Sequence, residues 1–165
     1  MATLSTFKET LLDLVPSLRA FAFCLRQNRA EADDLVYQSL YEIWSRHRFE
    51  KYMELKEAAF TVVDRRCRLT PPARPGDHPA ERAWSGGPNA FDAAFEALDR
   101  NEREALSLVM VWGFTDAQAA RICGIGTQTL ERRIIEGSSR LALACRYGSR
   151  ADHLRHERYE EDCHG

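Results

Sequence analysis

The chain has 165 residues, with 23 basic against 25 acidic side chains, so it is long enough for one domain or two small ones. That near-balance excludes a free-standing nucleic-acid binder whose affinity rests on many phosphate contacts, and an apolar share of 44% excludes overall disorder. No apolar run reaches membrane-helix length, and MATLSTFKETLLDLV lacks the separate basic and apolar sections of an export signal, so a cytoplasmic protein is expected.

In the first segment Phe7, Leu11, Leu14, Leu18, Phe21 and Leu25 recur at helical spacing, with Pro16 tolerated only near a helix start or a bend. A second helix follows from Ala32 to Trp44, with Leu35, Val36, Leu40 and Ile43 inward. A third runs from Leu55 to Leu69 through Ala58, Ala59, Val62 and Val63. The connection RHRFEKYMEL (46–55) mixes Arg46, Arg48 and Lys51 with Phe49 and Tyr52, the aromatic and basic combination that binds single-stranded nucleic acid. A helix–helix turn with two partly buried aromatics fits the same residues. DRRCR (64–68) adds Arg65, Arg66 and Arg68, which could line a duplex backbone.

The stretch TPPARPGDHPAERAWSGGPN (70–89) holds five of the six prolines and three of the nine glycines, so it is a tether rather than a helix or central strand. Trp84 within it is either a docking aromatic or a partly exposed one. Beyond the tether, Phe91, Phe95 and Leu98 mark a short helix, and Leu106, Val109, Met110 and Trp112 mark another before Gly113. Thr115 is a plausible N-cap for TDAQAARIC, whose Ala119, Ala120 and Ile122 form a small apolar face that ends at Gly124. Leu130, Ile134 and Leu141 resume helical spacing after the turn, leaving Gln128, Arg132, Arg133 and Arg140 to face outward. Two short helices across a tight turn, the second exposing donors, outline a helix-turn-helix; an ordinary helical hairpin in a bundle fits the pattern as well.

Nothing alternates with strand period for long, so the fold class is all-α: two small helical domains joined by a flexible linker. Their expected bounds are 1–70, a linker at 71–89, the helix-turn-helix domain at 90–148 and a charged tail at 149–165. Cys24, Cys67, Cys123, Cys145 and Cys163 form no CxxC pair, and Cys24, Cys123 and Cys145 are most simply core residues. His153 and His156 lie near Glu157, Glu160 and Glu161 on a solvated terminal segment, and Cys163 beside His164 is a poor metal site. No phosphate-cradling glycine loop, serine elbow or metalloprotease motif is present, so neither catalysis nor a cofactor is expected.

Two stretches carry a family resemblance. PSLRAFAFCLRQNRAEADDLVYQSLYEIW (16–44) and FDAAFEALDRNEREALSLVMVWGFTDAQAARICGIGTQTLERRI (91–134) resemble, in this order, the two domains of extracytoplasmic-function (group 4) sigma factors of bacterial RNA polymerase, and look closest to the alphaproteobacterial general-stress subgroup. The first contains ADDLVYQSLYEIW where the family has Ala-Asp-Asp-Leu-Val-Gln-Glu-Thr followed by a tryptophan. The resemblance implies that Asp33, Asp34, Tyr37 and Gln38 help grip the polymerase clamp, with Tyr37 at the usual glutamine position. It implies that the 46–55 connection meets the downstream promoter element, and that the second domain reads the upstream one.

Partners would be core RNA polymerase, promoter DNA and an anti-sigma factor, with a monomeric chain and no membrane. QTLERR stands where the family has Gly-Thr-Val-Lys-Ser-Arg, so Thr129 and Arg133 match while Gln128, Glu131 and Arg132 depart. Gln128, Thr129 and Arg132 are expected at base edges, and Arg133 and Arg140 on the backbone. Glu131 would repel a phosphate unless it reads a cytosine amino group. AAFTVVDRR lacks the family's tryptophan and asparagine, which leaves a rival open: a sigma-like decoy or adaptor that binds an anti-sigma factor without driving transcription.

Overall fold

The structure, a computed structural model, describes residues 4–46, 52–71 and 90–162, with side chains over 7–46, 53–71 and 91–146. All regular elements among them are helical. Three long helices, α1 (Leu4–Arg26), α2 (Arg29–Arg46) and α3 (Tyr52–Leu69), form the first lobe. The second lobe comprises α4 (Ala90–Glu96), α5 (Arg100–Leu106), a π-helical turn (Ser107–Val111), α6 (Asp116–Cys123) and α7 (Thr127–Asp162). The tether and Trp84, the 47–51 connection, and Cys163 and His164 lie outside the described residues, as do the side chains of His153 and His156.

The apolar stripe of α1 is buried as its spacing requires, Phe7, Leu11, Leu14, Leu18, Phe21 and Leu25 all facing the core. The helix runs through Pro16 without a break, so the Leu12 carbonyl lacks its usual i+4 donor. Gln27 turns the chain in the left-handed region, φ 54°. Asn28 then caps α2, its Oδ1 accepting the Glu31 N–H at 3.0 Å. Arg26 closes the lobe by donating to the carbonyls of Cys67, Thr70 and Pro71 at 2.9–3.2 Å, satisfying the otherwise orphaned end of α3.

In the second lobe a helix expected to keep Met110 inward is interrupted instead by the π turn. Trp112 N–H reaches back five residues to the Ser107 carbonyl, 3.1 Å, and Phe114 N–H reaches six, to Leu108, 3.0 Å. The wider turn advances the register: Leu108 is buried, Met110 and Val111 are exposed, and Trp112 is swung toward the first lobe. Gly113 at φ 67° completes the reversal.

The lobes share one core. Phe21 of α1 and Phe60 of α3 meet Trp112 with ring centroids 5.2 and 5.5 Å apart, and Phe114 stacks edge-on to Phe60 at 5.0 Å. Ala105, Leu108, Ala119 and Leu130 continue the same buried cluster. Cys123 is buried as expected, Cys24 and Cys145 only partly, and Cys67 joins the core. Burial pushes the Cys67 thiol up to about 11, which leaves it unreactive.

Candidate nucleic-acid interface

The inner face of α2 buries Ala32, Leu35, Val36, Ser39 and Ile43, which fixes what points out. Asp34, Tyr37, Gln38 and Tyr41 lie one helical face apart from that stripe, at i, i+3, i+4 and i+7. Tyr37 is 77% and Tyr41 78% exposed. Asp33 is turned toward α1 and held by Arg19 through two hydrogen bonds of 2.6 Å. Gln38 accepts from Arg66 at 3.2 Å. Tyr41 belongs to this face by register, one turn beyond Tyr37.

The basic end of the first lobe is internally paired. Arg46, Arg65 and Arg66 converge on Glu42, Arg46 at 2.9 Å and Arg66 at 2.9 Å, with Arg65 in direct contact. Burial pushes the Glu42 carboxyl upward, but hydrogen bonds and charge from Arg65, Arg46 and Arg66 outweigh it and hold the group below the usual carboxylate range. Arg48, Phe49 and Lys51 fall outside the described residues; Tyr52 opens α3 without a described side chain. Arg68 does not line a groove. It bridges Asp64 on its own helix, 2.7 Å, and Glu104 on α5, 2.7 and 2.9 Å.

That bridge is part of a polar contact between the lobes. Asp64 and Glu104 are buried carboxylates, joined by Arg100 on Asp64 at 3.0 Å and Arg133 near Glu104 at 3.8 Å. Burial, and then the hydrogen bond and charge of Asp64, push the Glu104 carboxyl up to about 8 against the pull of Arg68 and Arg100. Elsewhere on the seam Lys56 donates to the Trp112 carbonyl at 2.7 Å and sits 4.7 Å from the Phe114 ring centroid. Arg121 of α6 clasps Glu57 of α3 at 2.6 and 3.0 Å. Arg103 donates to the Cys24 carbonyl at 3.1 Å, and Gln27 to that of Glu96 at 3.0 Å. Of these seam residues only Arg68 and Arg133 are candidates from the sequence, as DNA contacts; both turn instead to Glu104. The signal of the two buried acids is register: Asp64 lies four residues after Phe60 and Glu104 four before Leu108, so each acid sits on an apolar stripe.

The helix-turn-helix forms from local chemistry. Thr115 and Gln118 make a reciprocal capping box, the Gln118 N–H donating to Thr115 Oγ1 at 3.3 Å and Gln118 Oε1 accepting the Thr115 N–H at 3.0 Å. Gly124, φ 66°, ends α6 in the left-handed conformation, and Ile125 N–H returns to the Ala120 carbonyl at 3.0 Å. Leu130 is fully buried, setting the rotation of α7. Gln128 and Arg132 then face solvent and Thr129 is half-buried. Arg133 turns inward toward Glu104, and Arg140, itself exposed, pairs with Asp99 at 3.2 Å and Glu102 at 3.0 Å. Glu131 and Ile135 share the outward face with Gln128 and Arg132. Gly137 lets α7 cross α5 closely; a Cβ there would stand 2.9 Å from Leu106 Cδ1 and 3.1 Å from Glu102 Cβ.

Among the described residues no group of three His, Cys, Asp or Glu side chains is placed to hold a metal ion, and no helix is long and apolar enough to cross a membrane. No family profile matches the chain. It is 31% identical over 156 residues to an ECF RNA polymerase sigma factor, EcfG, of Rhodopseudomonas palustris (strain TIE-1), covering 86% of each protein. A chain of the co-crystal structure of the sigma factor RpoE with the anti-sigma factor NepR from Bartonella quintana superposes with a TM-score of 0.64 at 29% identity, over 85% of this chain and 96% of that one. A chain of the complex of the anti-anti-sigma factor PhyR with NepR, from the same organism, shares the fold at a TM-score of 0.54 and 16% identity, over 79% of this chain and 48% of that one.

Proposed function

The chain belongs to the extracytoplasmic-function sigma factors of RNA polymerase, and from that membership we propose how its surfaces divide the work. It is a transcription initiation factor and not an enzyme. The exposed face of α2, centred on Asp34 and Tyr37 and extended by Tyr41, grips core polymerase. The observation that carries this reading is the pair of large, almost fully exposed tyrosines on a helix whose opposite face is core, because interface anchors are aromatic and central. Asp33 and Gln38 contribute from the edge of that face, where Arg19 and Arg66 orient them. The connection through Arg48, Phe49, Lys51 and Tyr52 meets the downstream promoter element, and the start of α7 reads the upstream one.

The lobes must part to reach two separated promoter elements at once. The chain from Pro71 to Ala90 can span at most roughly 65 Å, which limits how far the lobes can part. Arg68 then leaves Glu104 and becomes available to phosphate, as do Arg65 and Arg66 if Glu42 releases them. A small anti-sigma protein of the kind crystallised with the Bartonella sigma factor holds this chain inactive, and release is a response to stress. Glu131 and the altered third helix favour the decoy reading, but a decoy has no use for the exposed Gln128 and Arg132.

Binding to purified core polymerase tests the proposal. Replacing Tyr37 and Asp34 together by alanine, both on the solvent face, is expected to weaken core binding by roughly tenfold or more with the melting temperature unchanged. Unaltered core affinity in that variant refutes the assignment of α2.

A further inference from the structure

We propose that Glu131 is a base-reading residue that selects a cytosine in the upstream promoter element, with Ile135 beside it contacting a thymine methyl group. The inference rests on α7 being the promoter-reading helix. Burial of Leu130 and Gly137, and the inward turn of Arg133, leave Gln128, Glu131, Arg132 and Ile135 as one outward face at i, i+3, i+4 and i+7. They fall within the first nine residues of α7, the second helix of the helix-turn-helix, whose N-terminal part meets base edges in the major groove.

The composition of this face decides what it can bind. Arg132 and Glu131 cancel, and among the described residues neither makes an ion pair. A face of zero net charge gains little overall from the phosphate charge, so its discrimination rests on the groups it presents to base edges. Arg133 and Arg140, which could have supplied backbone contacts, are drawn to Glu104 and to Asp99 and Glu102. A carboxylate accepts hydrogen bonds and cannot donate them. In the major groove only cytosine N4 and adenine N6 donate, and adenine sets its amino group beside the N7 acceptor, which repels a carboxylate and suits an amide. Glu131 therefore fits cytosine, and Gln128 fits adenine. Ile135 is 65% exposed one turn further on; an aliphatic side chain at that place matches the C5 methyl of thymine, the one apolar feature of the groove.

The test uses the chain assembled with core polymerase on promoter DNA whose upstream element is randomised, with bound DNA sequenced. The unaltered chain is expected to enrich cytosine at one position roughly tenfold. In Glu131→Gln that preference moves toward adenine while the other positions hold, and Ile135→Ala loses a thymine preference at a second position. Higher binding of all sequences by Glu131→Gln, with the ranking of bases unchanged, makes Glu131 a mere solvated charge and overturns the assignment. A thymine preference that survives Ile135→Ala overturns the second half. If the unaltered chain enriches no upstream sequence, the sigma-factor reading of α7 itself fails.

Discussion

Replacing Glu104 by glutamine should remove a pH dependence of stability that is built into the seam between the lobes. Glu104 is completely buried beside Asp64, and its carboxyl keeps its proton up to about 8, whereas the unfolded chain releases it near 4.5. Between those values the folded state binds more protons than the unfolded one. The stabilisation is therefore complete below about 4.5 and is lost as pH rises toward 8. At about 1.4 kcal/mol per pH unit, the loss from pH 5 to pH 8 amounts to at most roughly 4 kcal/mol, a large fraction of the stability of a small protein. Glu42 and Glu57 act in the opposite direction and in a lower window. Glu57 is held down first by the Arg121 hydrogen bond, against burial, so its contribution is lost as pH falls below the ordinary carboxylate range. Urea unfolding at pH 5, 6, 7 and 8 measures the slope. The variant differs from the native chain at residue 104 alone, so it controls for every other titratable group. Stability of the native chain should fall with pH more steeply than that of Glu104→Gln. Parallel profiles for the two proteins would refute the placement of a protonated Glu104 at the seam.

Trp112→Ala removes ring contacts with both Phe21 and Phe60 and should cost about 3 kcal/mol by calorimetry; an unchanged melting temperature would mean the lobes do not share that cluster in solution. Gly137→Val should destabilise by about 1–3 kcal/mol because the new side chain meets Leu106 and Glu102, outweighing any gain in helix propensity, and chemical denaturation would read it. Thr115→Ala should cost about 1 kcal/mol through loss of the α6 cap, while Thr115→Asp should be nearly neutral; equal stability of all three forms would contradict the capping role.

Much of the architecture is legible in the sequence because it is set locally. The stripe from Phe7 to Leu25, the cap at Thr115 and the stop at Gly124 each follow from spacing or from one residue's backbone preference. The π turn is not legible in this way. Inserting one residue into the period of SLVMV moves Met110 out and Leu108 in, and the cause is tertiary: Trp112 gains the aromatic seam of the other lobe. Arginines were the least readable residues. A guanidinium on a helix looks the same in sequence whether it faces DNA or a buried carboxylate, and Arg68 and Arg133 face Glu104. Only the acids betray it, since Asp64 and Glu104 occupy positions where the period calls for apolar side chains. On α2 the motif names Asp33, Asp34, Tyr37 and Gln38; the fold turns Asp33 toward Arg19, and helical register adds Tyr41 to the exposed face.

Reconstituted transcription tests the central claim most directly: the purified chain with core RNA polymerase, on DNA bearing promoters taken from its own genome. Transcripts should start at specific sites only when the chain is present, and Gln128→Ala with Arg132→Ala should weaken them at least tenfold while core binding is retained. Binding to an anti-sigma protein without binding to core polymerase, and without any promoter-specific transcript, would contradict a role in initiation and make the chain a decoy.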